Sequence, residues 1–299
     1  METRIIGIIL CFFSATSAAA MTEWFPFELH GGHITIPVEI GGIDGRAILD
    51  TGAQSNGINK RFLAANELTY PKGERIRLKG VFGEEQTRML NQVPTRLFEM
   101  DLTLSHLIPM HLGDENNQLL LGAAFFRMFV IQLDYPNQKI RLIDRDAIDV
   151  SDYENIKMRR DRASGFPIVR VNMNNDKDVW LILDTGNAGG ILVERNVAEN
   201  YDWLNKFNAS NTFGGGVVKA TMTQTFLLPS LTFGPYELGD VKVTVPAPNE
   251  TINVGGRGDI VGSRIKGQLI RGLLGYDVLK HFVLTMDYKG GHLHVGLPQ

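Results

Sequence analysis

The stretch AILDTGA at residues 47–53 returns as LILDTGN at residues 181–187, 134 positions later in the chain. In each copy three apolar residues lead into Asp-Thr-Gly, which predicts a strand that ends in a turn at the aspartate. A single Asp-Thr-Gly occurs by chance in roughly one chain in twenty of this length. Two copies in the same setting therefore indicate a duplicated unit.

The repetition extends beyond these two loops. Leu120-Leu121-Gly122 corresponds to Leu273-Leu274-Gly275 at an offset of 153 positions, and residues 129–135 (FVIQLDY) correspond to residues 282–288 (FVLTMDY) at the same offset. The two offsets differ by 19 residues, and we expect this excess in the loop-like segment 246–268. Solenoid units have roughly 20–50 residues, so a repeat of this length predicts two related lobes.

The residue pattern in each half predicts β structure. Residues 34–40 alternate between apolar and other side chains, a glycine-rich turn follows, and a second run reaches Asp50. Segments 168–173 and 179–183 repeat this order before Asp184. Short helices are predicted near residues 60–65 and 194–201, and closing hairpins at 129–142 and 282–295. The predicted fold class is therefore all-β, with two lobes related by a pseudo-twofold axis.

The first twenty residues have the order of a secretory signal peptide. Arg4 is followed by an apolar stretch at 5–13 and by Ala18-Ala19-Ala20, which resembles a cleavage site. The apolar stretch is too short to cross a bilayer, although an uncleaved anchor is the alternative. Cleavage after Ala20 would remove Cys11, the one cysteine, and export without disulfides fits a bacterial periplasm or medium. We therefore expect an exported protein, periplasmic or secreted.

Composition excludes several classes of partner and cofactor. The chain has 30 Lys and Arg against 33 Asp and Glu, a formal net charge of −3, so no long-range attraction draws it to nucleic acid or anionic lipid. One cysteine can build neither an internal disulfide nor a thiolate metal site. We expect no cofactor, no metal, no nucleic-acid partner and no membrane contact after signal cleavage.

The chain divides into a signal peptide and two lobes. We assign residues 1–20 to the signal peptide, 21–145 to the first lobe and 165–299 to the second. Residues 146–164 are charged and have no apolar periodicity, which predicts a linker.

Two facing aspartates can carry out acid–base chemistry. Carboxylates within hydrogen-bond distance cannot both ionise, so they share one proton. The ionised carboxylate is a general base for a water molecule, and the protonated one is a general acid. Two identical loops related by a pseudo-twofold axis would bring Asp50 and Asp184 face to face. The alternative for a single copy is a simple turn in which the aspartate accepts backbone N–H bonds.

With these motifs the chain resembles aspartic peptidases of the retropepsin and pepsin type. It is similar to single-chain tandems of two retropepsin-like lobes in exported bacterial proteins, over residues 31–142 and 165–295. The resemblance implies the two-lobed acid protease fold and a catalytic pair formed by Asp50 and Asp184. It also implies hydrolysis of peptide bonds by a water molecule held between the two aspartates.

The resemblance implies supporting roles around this pair. The two loop threonines would bond across the lobe interface, and the glycine of each Leu-Leu-Gly motif would let a second strand pass close behind a catalytic loop. The implied supporting residues are Thr51, Gly52, Thr185 and Gly186 in the loops, and Gly122 and Gly275 behind them.

Two glycine-rich stretches are candidates for the flap, the hairpin that closes over substrate in this family. Glycines there allow a tight, mobile turn. Two flaps are typical of retropepsin dimers and one of pepsins, while two ordinary hairpin turns are the alternative. The stretches are Gly80-Val81-Phe82-Gly83 and Phe213-Gly214-Gly215-Gly216.

The two catalytic loops differ after the glycine. Ala53 follows the family pattern and Asn187 does not. We expect the Asn187 amide either to bond the aspartate pair or to face outward. Gly189 and Gly190 are expected to make the second loop looser than the first.

The sequence predicts a monomeric aspartic endopeptidase that acts on peptides or unfolded proteins. One alternative is a peptide-binding pseudo-protease that uses the same cleft without turnover. The other is a peptidase in which each lobe pairs with a lobe of another chain.

Overall fold

The computed structural model describes residues 21–80, 83–161, 165–215, 220–252 and 269–298. Strands predominate in these segments and the helices are short, which confirms the predicted all-β class. The predicted signal peptide and most of the loop expected to hold the extra residues lie outside the described residues. None of the helices in the described segments is long and apolar enough to cross a membrane.

The first half of the chain forms one large sheet, one separate hairpin and three strands of a sheet that it shares with the second half. The helix predicted at 60–65 is present, and the Asn59 side chain caps it by accepting from the Arg61 N–H. The elements are β1 (Phe25–Pro26), β2 (Glu28–His30), β3 (His33–Ile40), β4 (Ile43–Leu49), β5 (Gly57–Asn59), α1 (Lys60–Ala65), β6 (Lys72–Gly80), β7 (Gly83–Leu90), β8 (Val93–Leu97), β9 (Met100–Leu104), β10 (Ile108–Met110), β11 (Asn117–Leu121), α2 (Ala123–Phe126), β12 (Val130–Asp134) and β13 (Lys139–Ile143).

The second half repeats this order with longer strands before its last helix. Trp203, at the start of a short helix, is fully buried in the core. The elements are β14 (Met158–Arg160), β15 (Pro167–Met173), β16 (Lys177–Leu183), β17 (Ile191–Val193), α3 (Arg195–Glu199), α4 (Trp203–Lys206), β18 (Ser210–Gly215), β19 (Ala220–Phe233), β20 (Tyr236–Pro246), β21 (Ile270–Leu274), α5 (Tyr276–Leu279), β22 (Val283–Asp287) and β23 (His292–Gly296).

The same strand pairing surrounds each Asp-Thr-Gly loop. In the first lobe β4 runs parallel to β11, which is antiparallel to β5, and β5 is parallel to β10. In the second lobe β16 runs parallel to β21, which is antiparallel to β17, and β17 is parallel to β20. The duplicated sequence therefore folds into duplicated pairing around the two aspartates.

A five-stranded sheet joins the two halves, in the order β1-β13-β12-β22-β23. The two hairpins, each predicted to close its own lobe, join in this sheet because β12 pairs antiparallel with β22. Gln132 Nε2 donates to Thr285 Oγ1 at 2.8 Å, and these residues hold equivalent places 153 positions apart. Each hairpin covers an edge that would otherwise expose unpaired backbone groups.

The segment predicted as a linker, 146–164, contains regular structure. It has a 3₁₀ turn at Val150–Asp152, and β14 pairs with β15 at the edge of the second-lobe sheet. Val150, Ile156 and Met158 are buried between charged neighbours. Because these apolar residues are irregularly spaced, the sequence shows no periodicity that would predict a strand here. They are buried because β14 joins the edge of the second-lobe sheet.

Candidate active site

Each aspartate follows directly on a strand that is held by its parallel neighbour. The Asp50 N–H donates to the Leu121 carbonyl at 2.9 Å, and the Asp184 N–H donates to the Leu274 carbonyl at the same distance. Strands β4 and β11, and their counterparts β16 and β21, therefore fix where both loops begin.

The glycine in each loop orients the carboxyl two residues before it. The Gly52 N–H donates to Asp50 Oδ1 at 2.8 Å, and the Gly186 N–H donates to Asp184 Oδ1 at 2.9 Å. In both loops a backbone donor of the same loop therefore holds one carboxyl oxygen in place.

Two buried threonines link the loops in a reciprocal set of hydrogen bonds. The Thr51 hydroxyl donates to the Leu183 carbonyl at 2.5 Å and accepts from the Thr185 N–H at 3.0 Å. The Thr185 hydroxyl donates to the Leu49 carbonyl at 2.8 Å and accepts from the Thr51 N–H at 3.0 Å. Both threonines are almost fully buried. Because each hydroxyl bridges two backbone groups of the other loop, the loops are held together as one unit.

Removing one of these hydroxyls should destabilise the protein. In Thr51→Val the Leu183 carbonyl and the Thr185 N–H lose their partner inside the core, and each unpaired buried group costs about 1–3 kcal/mol. We expect the free energy of unfolding to fall by about 2 kcal/mol or more in equilibrium denaturation. Thr51→Ser keeps the hydroxyl and should lose much less, so equal losses in the two variants would contradict this assignment.

The two carboxyl groups lie within hydrogen-bond distance of each other. Asp184 is 7% exposed and Asp50 is half-buried. The loop glycines make this approach possible. A Cβ on Gly52 would lie 2.5 Å from Asp184 Cγ, and one on Gly186 would lie closer still to Asp50 Cγ. Each glycine therefore leaves the space that the opposite carboxyl occupies.

Burial raises the pKa of both aspartates above the usual range of a carboxyl. For Asp184 the nearby Asp50 charge and the hydrogen bond with Asp50 raise the pKa further, to well above its usual range. For Asp50 the hydrogen bonds from Asp184 and from the Gly52 N–H oppose part of the rise in pKa. Both shifts favour the retention of a proton on the pair.

The glycines of the two Leu-Leu-Gly motifs lie against the backs of the two Asp-Thr-Gly loops. A Cβ on Gly122 would lie 2.7 Å from the carbonyl oxygens of Ala53 and Ser55, and one on Gly275 would lie 2.6 Å from Asn187 Cγ. Any larger residue at either position would push the loop forward. The close approach is a steric requirement at both places.

Asn187 behaves in neither of the two expected ways. Its Nδ2 donates to the Gly190 carbonyl and its Oδ1 accepts from the Gly189 N–H, both at 3.1 Å. The Gly275 N–H also donates to the Gly190 carbonyl, at 2.8 Å. The amide therefore closes its own loop, and these bonds tie down the two glycines that were expected to loosen it.

The first candidate flap is the hairpin of β6 and β7. Gly80 and Gly83 pair at its end, and Val81 and Phe82 between them lie outside the described residues. Apolar side chains of both strands pack in the same small cluster as Ala53 of the first catalytic loop. The structure therefore brings the body of this hairpin beside the first loop.

The second candidate flap belongs to the hairpin of β18 and β19. Phe213, Gly214 and Gly215 lie in β18 and pair with β19, and Gly216 lies outside the described residues. Phe213 is 78% exposed and pairs with Met222, which is 41% exposed.

Tyr135 and Tyr288 end the repeated segments 129–135 and 282–288, and they lie near the two aspartates. The Tyr288 hydroxyl donates to the Thr51 carbonyl at 3.3 Å. Tyr135, its equivalent 153 positions earlier, has a buried hydroxyl with no hydrogen-bond partner among the described residues. Burial raises the pKa of both phenols, and the Asp184 charge adds to the rise in both. Their equivalent positions in the repeat were the feature of the sequence that could have identified them.

His33, to which the sequence analysis assigned no role, lies beside the two aspartates. His33 begins β3, and it interacts with the Asp50 carboxylate and the Gly186 carbonyl. Its Nδ1 is buried and has no hydrogen-bond partner among the residues described. Burial lowers the pKa of His33, while the Asp50 charge and the Gly186 carbonyl oppose this. Nothing in the repeat marks this position, because the second lobe has no histidine there.

Comparisons with known proteins identify a family and a fold to which the chain is similar. A family model described as Aspartyl protease (Asp_protease_2) matches residues 36–125 and 169–278. The fold is similar to that of an aspartic proteinase from Irpex lacteus, with a TM-score of 0.54 and 11% identity over 93% of this chain and 97% of that one. A retropepsin-like aspartic protease from Rickettsia conorii matches 46% of this chain and 86% of its own, at 20% identity and a TM-score of 0.30. No curated protein sequence matches the chain.

Proposed function

Because the chain belongs to the aspartyl protease family, we propose that it is an aspartic endopeptidase whose catalytic groups are Asp50 and Asp184. The observation that carries this proposal is the pair of hydrogen-bonded carboxyls, one from each copy of the duplicated loop. The pair has the two features that acid–base catalysis needs, an ionised member and a protonated one.

The reaction follows from this division of charge. Asp50 takes a proton from a water molecule bound between the carboxyls, and the resulting hydroxide adds to the carbonyl carbon of the peptide bond. Asp184 gives its proton to the carbonyl oxygen, so the tetrahedral intermediate is neutral at that oxygen. Asp50 then passes its proton to the amide nitrogen, the C–N bond breaks, and the intermediate returns a proton to Asp184. The products are a carboxylic acid and an amine, and the pair regains its starting state.

Turnover is favoured over simple peptide binding. A binding cleft has no need for two buried carboxyls held in contact, since burying such groups costs free energy. The threonine bonds, the glycines beneath each carboxyl and the two N–H donors all hold this costly arrangement in place. Their joint presence supports an enzyme rather than a pseudo-protease.

We propose that one chain supplies the whole site and that the enzyme is a monomer. The bonds between Thr51 and Thr185 join the two lobes of the same chain. The sheet that contains β12 and β22 also joins both halves. These contacts support pairing within the chain over pairing between two chains.

The substrate would be a peptide or an unfolded protein, lying extended between the lobes beneath the β6–β7 hairpin. An extended chain can pair its backbone with strand edges and place alternate side chains in pockets. The signal-like residues 1–20 support export, so we place the enzyme in the periplasm or outside the cell.

Peptide-library cleavage across a pH series tests this function. We expect kcat/KM to be highest in the acidic to mildly acidic range and to fall when the pair loses its shared proton. Because burial raises the pKa of both aspartates, the proton is retained to higher pH than on an exposed carboxyl. A statine-type inhibitor should block cleavage. A rate that climbs steadily above neutral pH, or that collapses on adding a chelator, would point to a different mechanism.

A further inference from the structure

The hairpin of β2 and β3 lies over both catalytic loops. The β3–β4 ladder pairs Thr35 with Ile48, so the start of β3 at His33 lies toward the end of β4, which leads into Asp50. The turn before His33 touches the other loop, because a Cβ on Gly32 would lie 2.8 Å from the Ala188 carbonyl oxygen. His33 therefore lies near both loops and interacts with the Asp50 carboxylate and the Gly186 carbonyl.

The equivalent position in the second lobe holds an apolar residue. The β15–β16 ladder pairs Ile168 with Ile182, and Phe166 precedes β15 as His33 begins β3. Phe166 packs on the small apolar cluster that contains these two isoleucines. The ionisable imidazole of the first lobe therefore has an apolar counterpart in the second.

This difference makes the surroundings of the two aspartates unequal, although the other features of the two loops are alike. The N–H donors, the threonine bonds and the strand pairing repeat from one loop to the other. A positive charge beside one carboxyl favours the ionised form of that carboxyl, whereas an apolar neighbour favours the neutral form. The His33 imidazolium, which has no counterpart in the second lobe, therefore biases the shared proton toward Asp184.

We propose that His33 is a positioning residue for the catalytic pair, which holds the negative charge on Asp50 and so makes Asp50 the base and Asp184 the acid. The proposal rests on the proposed function and adds the reason why the two equivalent aspartates have different roles. It assigns no direct contact between His33 and the reacting atoms.

The charged and titratable groups around His33 are few. From the catalytic loops, Asp50 and the Gly186 carbonyl face the ring. On the neighbouring strand β2, His30 is the cross-strand partner of His33, and its Nε2 is paired with Glu28 at 2.6 Å. The Asp50 charge and the Gly186 carbonyl favour the imidazolium, and burial opposes it, lowering the pKa of His33.

The first test compares the pH profiles of His33→Gln and His30→Gln. Below its pKa the wild-type imidazolium favours ionised Asp50, and a glutamine cannot do this. The acidic limb of kcat/KM in His33→Gln should therefore move up by about 0.5–1 pH unit. His30→Gln removes the neighbouring histidine of the same hairpin and should superimpose on the wild type. A purely structural role would lower the rate at every pH without moving the limb, and that outcome overturns the proposal.

A second test needs neither turnover nor a folded His33 variant. Coupling between two titrating groups is reciprocal, so the Asp50 charge must raise the pKa of His33 as much as the imidazolium lowers that of Asp50. NMR titration of the His33 ring should show a lower pKa in Asp50→Asn than in the wild type, with the His30 ring unchanged. An unchanged His33 pKa overturns the proposal even if Asp50→Asn is inactive, whereas full activity of Asp50→Asn would instead overturn the proposed function.

Discussion

Replacing Asp50 or Asp184 by asparagine should lower kcat by roughly 10²- to 10⁴-fold, the usual contribution of acid–base catalysis. An asparagine keeps the size of the side chain and can still accept the loop N–H bond, but it can neither take nor give the shared proton. Because the pair acts as a unit, each single variant should lose nearly as much activity as the double variant. Single-turnover cleavage of a chromogenic peptide measures this loss directly.

Two controls separate the loss of chemistry from other causes. Asp44→Asn changes an exposed aspartate in the strand that leads to the first loop and should keep full activity. Mixing Asp50→Asn with Asp184→Asn tests how the site is assembled. If lobes of different chains paired, the mixture would recover activity by joining two intact loops, so recovery would refute the single-chain site. Near wild-type turnover in either single variant would refute the shared pair.

Gly186→Ala should lower kcat/KM by about 10²-fold, the effect expected when catalytic groups are displaced by about 1 Å. The new methyl group would overlap the Asp50 carboxyl and force it away from Asp184. Gly52→Ala should act in the same way on Asp184, since its Cβ would lie 2.5 Å from the Asp184 Cγ. Cleavage assays beside thermal melting would show the loss in activity at a folded active site.

Gly189→Ala is the matched control for these variants. It lies in the same loop as Gly186, yet the nearest atom to its added Cβ is Asn187 Oδ1 at 3.4 Å, an ordinary contact distance. It should therefore keep most of its activity. Equal losses in Gly186→Ala and Gly189→Ala would mean that loop flexibility, rather than the space for a carboxyl, is what the glycine provides.

Local patterns predicted the strands around each aspartate well. The alternation at 34–40 corresponds to β3, and the helix predicted at 60–65 is α1 with the same bounds. These features depend on neighbours along the chain, so a short window of sequence contains the information. The structure of segment 146–164 was harder to predict, because Met158 is buried only through the pairing of β14 with β15.

The catalytic surroundings were less predictable for a related reason. Asn187 has several possible partners in any loop, and its bonds to Gly189 and Gly190 follow from the folded path of the backbone. The second flap candidate shows the same limit. Its glycines indicated a turn, but Gly214 and Gly215 lie in β18 because they pair with β19.

The sequence by itself determined that two similar β lobes each present an Asp-Thr-Gly loop, because the duplicated motifs can be recognised in the sequence alone. Only the tertiary structure decided how the copies meet. The reciprocal threonine bonds join residues 134 positions apart, and the sheet through β12 and β22 joins residues 153 positions apart. It also decided that His33 interacts with Asp50. The physical reason is that strand register and lobe packing set these neighbours, and neither is encoded in the order of nearby residues.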